Sequence, residues 1–210
     1  MRHGQLGVAF GKESEAAFSL TELLVALCII MILMAIGTPS FLRAYHNYQL
    51  SSAASEVKQI LMLARYQAIN RNKAIDLVVH TSTSDPTLTN IWTDPNRNGV
   101  LDKGEKTFLL GPSGNLIASS GVPGTASLIA QAANGAGGAT PSPTASTITF
   151  DARGAVCADL LCSGTSPNVN VYYLGSAIAP DAGYRAVVLT PAGAVRIWTS
   201  DASGNWQPSQ

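Results

Sequence analysis

Residues 23–36 are an unbroken apolar run with one carboxylate, Glu22, at its head. Phe18-Ser19-Leu20-Thr21 precedes that carboxylate, and Gly37-Thr38-Pro39 follows the run. From Phe18 to Ile36 only Ser19, Thr21 and Glu22 interrupt the apolar sequence, which gives about the length needed to cross a bilayer. An ionised carboxylate in hydrocarbon costs about 3 kcal/mol on insertion scales. Glu22 therefore calls for a positive partner at the same depth. A short polar leader carrying Arg2, Lys12, Glu13 and Glu15 stands before Phe18. A cut before Phe18 would create such a partner, a new α-amino group, on this chain or on a neighbour.

Gly37 and Pro39 are expected to bend or loosen the helix, because proline lacks a donor and clashes with the preceding turn. The helical pattern then resumes. Leu50, Ala53, Ala54, Val57, Ile60, Leu61, Ala64 and Ala68 recur at three- and four-residue steps, with polar residues mostly between them. The spacing predicts an amphipathic helix that lays one face on a core. It fades at Asn70-Arg71-Asn72-Lys73, so one helix is expected over 18–72.

Beyond it the pattern changes to short β-branched and apolar runs. Strands are expected at 74–80, 90–93, 106–110, 147–151, 169–174, 184–190 and 194–199, the last two joined by Pro191-Ala192-Gly193. One helix followed by punctuated strands implies an α+β fold, an antiparallel sheet packed on the helix. Residues 111–146 are rich in Gly, Ala, Ser, Thr and Pro and are expected to form a long mobile surface loop.

Charged residues make up 12% of the 210, and the formal net charge is zero. Loss of residues 1–17 removes two bases and two acids, so the remainder is also neutral. Such a chain lacks the long-range field that draws nucleic acid or anionic lipid. Cys28 lies within the apolar run and reads as a small hydrophobe. Cys157 and Cys162 enclose Ala158-Asp159-Leu160-Leu161. In an oxidising compartment the pair staples that loop; otherwise it is two free thiols or half of a metal site.

The leader, the Phe18 junction, Glu22 five residues into the remaining chain and the apolar helix together resemble a type IV pilin or pseudopilin precursor. The resemblance implies cleavage between Ala17 and Phe18 by a prepilin peptidase, N-methylation of Phe18, and a role for Glu22 in assembly. Ala17 stands where the family prefers glycine, and Pro39 where many members have a proline. A secretory signal would instead carry positive charge against the core and a small-x-small site after it, and neither is evident. Further marks resemble the H-type subgroup, GspH/FimT. These are Ala64-Arg65-Tyr66-Gln67-Ala68-Ile69-Asn70-Arg71-Asn72, an acidic Asn-Gly turn, Ile148-Thr149-Phe150 with Gly154, and Leu189-Thr190-Pro191-Ala192-Gly193. The resemblance implies a pilin-like layout of a 1–17 leader, an 18–39 transmembrane and assembly helix, and a 40–210 periplasmic domain. It implies an inner-membrane subunit of a type IV pilus or a type II secretion pseudopilus, with other pilins or pseudopilins as partners.

Within that layout, residues 94–105 follow the calcium-loop pattern of an EF-hand. Asp94, Asn96, Asn98, the Val100 carbonyl, Asp102 and Glu105 would be the ligands, and Gly99 the turn. The same residues also suit a polar hairpin turn between strands. No cofactor is required by either reading, and calcium is the one candidate. Some FimT-like minor pilins are thought to bind DNA through a Gly-Arg-x-Arg stretch. Here that stretch is Gly193-Ala194-Val195-Arg196, so Arg196, with Arg185, Trp198 and Trp206, forms a candidate DNA-binding patch. His3, His46 and His80 are scattered, and no catalytic motif appears, so an enzyme is not expected.

Overall fold

The computed structural model describes residues 19–133, 139–141 and 146–209. The Ala17–Phe18 junction and the leader lie outside the described residues. The chain divides into two units, Met1–Phe41 and Leu42–Gln210.

Helix α1 spans Leu20–Arg71. Ser19 caps it: its Oγ accepts from the Glu22 backbone N–H at 3.2 Å, which satisfies one of the donors that every helix start leaves unpaired. Glu22 thus sits in the first turn, where a carboxylate complements the helix dipole. The helix continues through Pro39 without interruption, so the loosening expected at Gly37 and Pro39 does not divide it. Just before the proline, the Thr38 hydroxyl donates to the Met34 carbonyl at 2.6 Å. All described residues of the first unit are exposed, and an 18-residue window of α1 has a mean hydropathy of 2.6. By length and composition this helix is apolar enough to cross a membrane.

In the second unit α1 behaves differently. It buries Leu50, Ala53, Ala54, Val57, Ile60, Leu61, Ala64 and Ala68, the eight positions whose spacing predicts a core face. The strands follow as β1 (Ile75–Thr81), β2 (Thr89–Asp94), β3 (Thr107–Leu110) and β4 (Asn115–Ile117). Helix α2 (Thr125–Ala132) and β5 (Ala139–Pro141) come next, then β6 (Ser146–Phe150) and β7 (Val169–Gly175). The chain closes with β8 (Tyr184–Leu189), β9 (Val195–Ser200) and β10 (Trp206–Pro208). One sheet has the order β3-β2-β1-β6 and the other β10-β9-β8-β7-β4; β5 adds to β7 in parallel, and the remaining pairs are antiparallel. The seven strands expected from the sequence are all present, and β4, β5 and β10 are additional.

Both sheets contribute to the core beneath α1: Leu77 and Ile91 from the first, Tyr172, Leu174, Val187 and Leu189 from the second. The second sheet is apolar on its other face too. There Val169, Val171, Tyr173, Ala186, Val188, Trp198 and Trp206 form a second core with Val122 and Leu128. This corrects the expectation of a long mobile loop over 111–146, as far as its described residues go. β4, α2 and the connection between them cover a sheet that would otherwise expose large apolar side chains. Low overall hydrophobicity concealed the few residues that matter, since Leu128 is fully buried and Leu116 and Val122 nearly so. Residues 134–138 and 142–145 of the expected loop lie outside the described residues.

Leu128→Ala should therefore cost about 2–4 kcal/mol, the range for a fully buried leucine. Urea denaturation checks this, and a change near zero would mean that the segment covers nothing.

Candidate functional site

Three regions hold the residues singled out by sequence: the helix start, the 94–105 turn with the disulfide loop, and the strands carrying the two arginines. At the helix start Glu22 is exposed, and it is the one charged side chain between Ser19 and Arg43. In hydrocarbon it would need a counter-charge.

The 94–105 turn is stitched by its own donors. The Asp94 carboxylate, fully buried, accepts from the backbone N–H groups of Arg97 (2.6 Å), Asn98 (3.3 Å) and Gly99 (2.6 Å). Asp102 Oδ2 accepts from Asn96 Nδ2 at 2.7 Å and Asn98 Nδ2 at 2.8 Å, and these two amides hold its carboxyl below the ordinary value. Glu105 Oε2 accepts from the Asp102 backbone N–H at 3.0 Å, and Asn98 Oδ1 from that of Val100 at 2.8 Å. The two asparagines thus present N–H donors to Asp102, where a calcium site would need their oxygens. Among the described residues no group of three His, Cys, Asp or Glu side chains is placed to hold a metal ion.

Arg97, which the sequence reading passed over, ties this turn to the fold. It has a left-handed φ of 60°, and its Nε donates to Asp76 Oδ1 at 3.1 Å. Asp76, on β1, also accepts from the Thr149 hydroxyl on β6 at 2.7 Å. Arg97 Nη2 donates to the Leu160 carbonyl, inside the loop closed by the Cys157–Cys162 disulfide. One guanidinium therefore joins the turn, the first sheet and the stapled loop. The available signal was Asp76 itself, a carboxylate within an apolar strand, which demands a partner when buried. Cys28 is a free, exposed cysteine on α1.

The proposed basic patch does not form. Arg185 is buried; it donates to Ser51 Oγ (3.2 Å), the Tyr184 carbonyl (2.9 Å) and Asn47 Oδ1 (3.4 Å), and burial draws its pKa down. Strand alternation puts it on the α1 side of the sheet with Val187 and Leu189. Arg196 is exposed and pairs with Val188, on the opposite face, while Trp198 and Trp206 are buried in the second core. The two arginines thus cannot grip one strand of DNA together.

Several of the weaker sequence marks converge on Arg65. Gly154 (φ 80°) and Gly193 (φ 78°) both lie against its side chain, and a Cβ at either would come within 2.9 Å of Arg65 Nε. The helix end and the turns after β6 and β8 meet there at van der Waals contact.

A long helix, apolar and exposed at first and then one-sided against two mostly antiparallel sheets, makes an α+β fold. The chain belongs to the GspH family, whose profile, described as Type II transport protein GspH, matches residues 53–193, more than half of the chain. No curated protein matches the chain. Two crystal structures of the Pseudomonas aeruginosa (strain PAO1) type IV minor pilin FimU are similar, at 15% and 16% identity. They cover 78% and 77% of this chain and 94% and 98% of their own, with TM-scores of 0.46 and 0.45.

Arg97→Ala should destabilise the protein by about 1–3 kcal/mol, because Asp76 keeps its buried charge and loses its cation. In a double-mutant cycle, adding Asp76→Asn should cost less than it does alone. Additive losses in chemical denaturation would contradict the coupling.

Proposed function

We propose that this chain is a minor pilin or pseudopilin, a subunit that assembles through its N-terminal helix. The observation that carries this reading is the contrast along α1. Its first half exposes an apolar surface with one carboxylate, and its second half is committed to the core of a folded unit. A prepilin peptidase cuts between Ala17 and Phe18 and methylates the new amine. Residues 18–39 then hold the protein in the inner membrane, with the domain from residue 40 on the periplasmic side. Glu22 pairs with the Phe18 amine of this chain or of a neighbour, so that a subunit entering a filament in register neutralises both charges. Other pilins or pseudopilins are the partners, in a type IV pilus or a type II secretion pseudopilus.

The role requires no cofactor. The 94–105 turn is proposed to act as a clamp made of protein alone, since its carboxylates are already bonded to N–H donors. Calcium at a hundredfold excess over its Kd would add about 2.7 kcal/mol of stability. Chelator and millimolar calcium should instead give the same Tm, and a rise of several degrees with calcium would restore the ion-binding reading.

Glu22→Ala and Glu22→Lys should each leave the protein in the membrane fraction and remove it from sheared filaments. Normal incorporation of either variant would defeat the charge-pairing mechanism.

A further inference from the structure

We propose that one end of the second unit is itself a lipid-contact surface, seated in the phospholipid headgroup layer by Arg43, Tyr45, Tyr48 and Ile178. The proposal rests on the membrane reading above.

The depth follows from the spacing of charges. Glu22 and Arg43 bracket the 20 residues 23–42, none of which is charged. α1 is helical throughout this stretch, and 20 helical residues rise about 30 Å, the thickness of the hydrocarbon layer. A charge inside hydrocarbon costs about 3 kcal/mol, so the two charged residues mark its two faces. Arg43 then stands where hydrocarbon gives way to headgroups, and the second unit begins one residue earlier, at Leu42. From Arg43 to Tyr48 the helix rises about 8 Å, and a headgroup layer is about 5–8 Å thick. Tyr45 and Tyr48 therefore lie within that layer or at its edge, at whatever angle the helix leaves the bilayer.

The side chains at this level suit such a layer. Tyr45 is 49% exposed and Tyr48 71%. A ring with a hydroxyl at one end is favoured where one side is apolar and the other wet. The fold brings two more apolar side chains alongside. Asp181 Oδ2 lies 3.9 Å from Arg43 Nε, which sets its turn beside Arg43, and Ile178, three residues earlier, is 57% exposed. Tyr45 and Tyr48 share a cleft with Leu109, also exposed. Solvated, these groups gain nothing; among headgroups they bury apolar surface and keep their polar ends wet.

Attraction to anionic lipid is not the basis of the seat. Arg43 faces Asp181, and two further carboxylates, Asp85 and Asp201, stand on neighbouring turns: Pro86 lines one pocket with Pro180, and Gly183 lies against Asp201. This end has no excess of positive charge, so the surface fits neutral phospholipid. The Arg43–Asp181 pair is long and its side chains are mostly exposed, so Arg43 can exchange it for a lipid phosphate at little cost. A subunit that leaves the bilayer for a filament must then lift this end out of the headgroups as well as withdraw its helix.

The test uses the full chain reconstituted in phosphatidylcholine vesicles, with the dye NBD on a single cysteine. Cys157 and Cys162 are joined in a disulfide and Cys28 is the remaining thiol, so Cys28→Ser lets Ile178→Cys or Leu161→Cys take the label. Leu161 is the reference: its loop is bonded to the Arg97 turn, whose Asn96 and Asp102 share a cleft with Arg71 at the far end of α1. Headgroup-nitroxide lipid should quench the label at 178 about twofold or more over that at 161. Tyr45→Asp with Tyr48→Asp, at exposed positions, should bring quenching at 178 down to the level at 161. Equal quenching at 178 and 161 would overturn the proposal. So would quenching at 178 that the tyrosine changes leave intact, because the end would then be near the bilayer by its tether alone. A label on Cys28 keeps the two readings apart. Quenching there by acyl-chain nitroxide upholds the anchor whatever happens at 178, and its absence removes the anchor and the seat together.

Discussion

One helix must satisfy two environments, and the rest of the chain is arranged around that requirement. Between Leu20 and Phe41 every side chain of α1 is exposed, and nearly all are apolar. Water is a poor solvent for such a surface, and hydrocarbon or other helices of the same kind are good ones. From Leu50 onward the same helix buries alanines, leucines, an isoleucine and a valine on one face. That face is useful only against a sheet. The second unit supplies two sheets, and the membership of the chain in the GspH family is consistent with this division of labour.

The second unit keeps its own polar logic. Among the described residues the buried charged side chains Asp76, Asp94 and Arg185 each have partners. Asp76 is met by Arg97 and Thr149, Asp94 by three backbone N–H groups, and Arg185 by Asn47, Ser51 and a carbonyl. The contacts of Asp76 with Arg97 and Thr149, and of Arg185 with Asn47 and Ser51, join segments distant in sequence, so they select one arrangement of turns and strands as well as stabilising it. Arg185 shows how this use competes with another. A guanidinium that locks a sheet to a helix from inside is not available to bind a ligand outside.

Much of this architecture was legible because its signals are periodic. The eight buried positions of α1 follow from their spacing, and the seven main strands from short β-branched and apolar runs between turn residues. The cover over the second sheet was not legible in 111–146, where Ile117, Val122 and Leu128 are dispersed among small residues. It was implied elsewhere. The runs in β7 and β8 are apolar at consecutive positions, which marks strands buried on both faces. The site was less legible than the fold. Glu22 stands out by its isolation, whereas the importance of Arg97 depends on Asp76 and Leu160, residues far away in sequence. The pairing of Arg185 with Arg196 failed for a simple reason, since their strand parity sends them to opposite faces.

The central claim is that the helix is released for assembly by a cut that creates a positive charge close to Glu22. N-terminal peptide mass spectrometry on protein from the native cell envelope tests it most directly. The account predicts a mature chain that begins at N-methylated Phe18. An intact leader, or a cut beyond the apolar run, would contradict it and leave a domain that is only anchored or secreted.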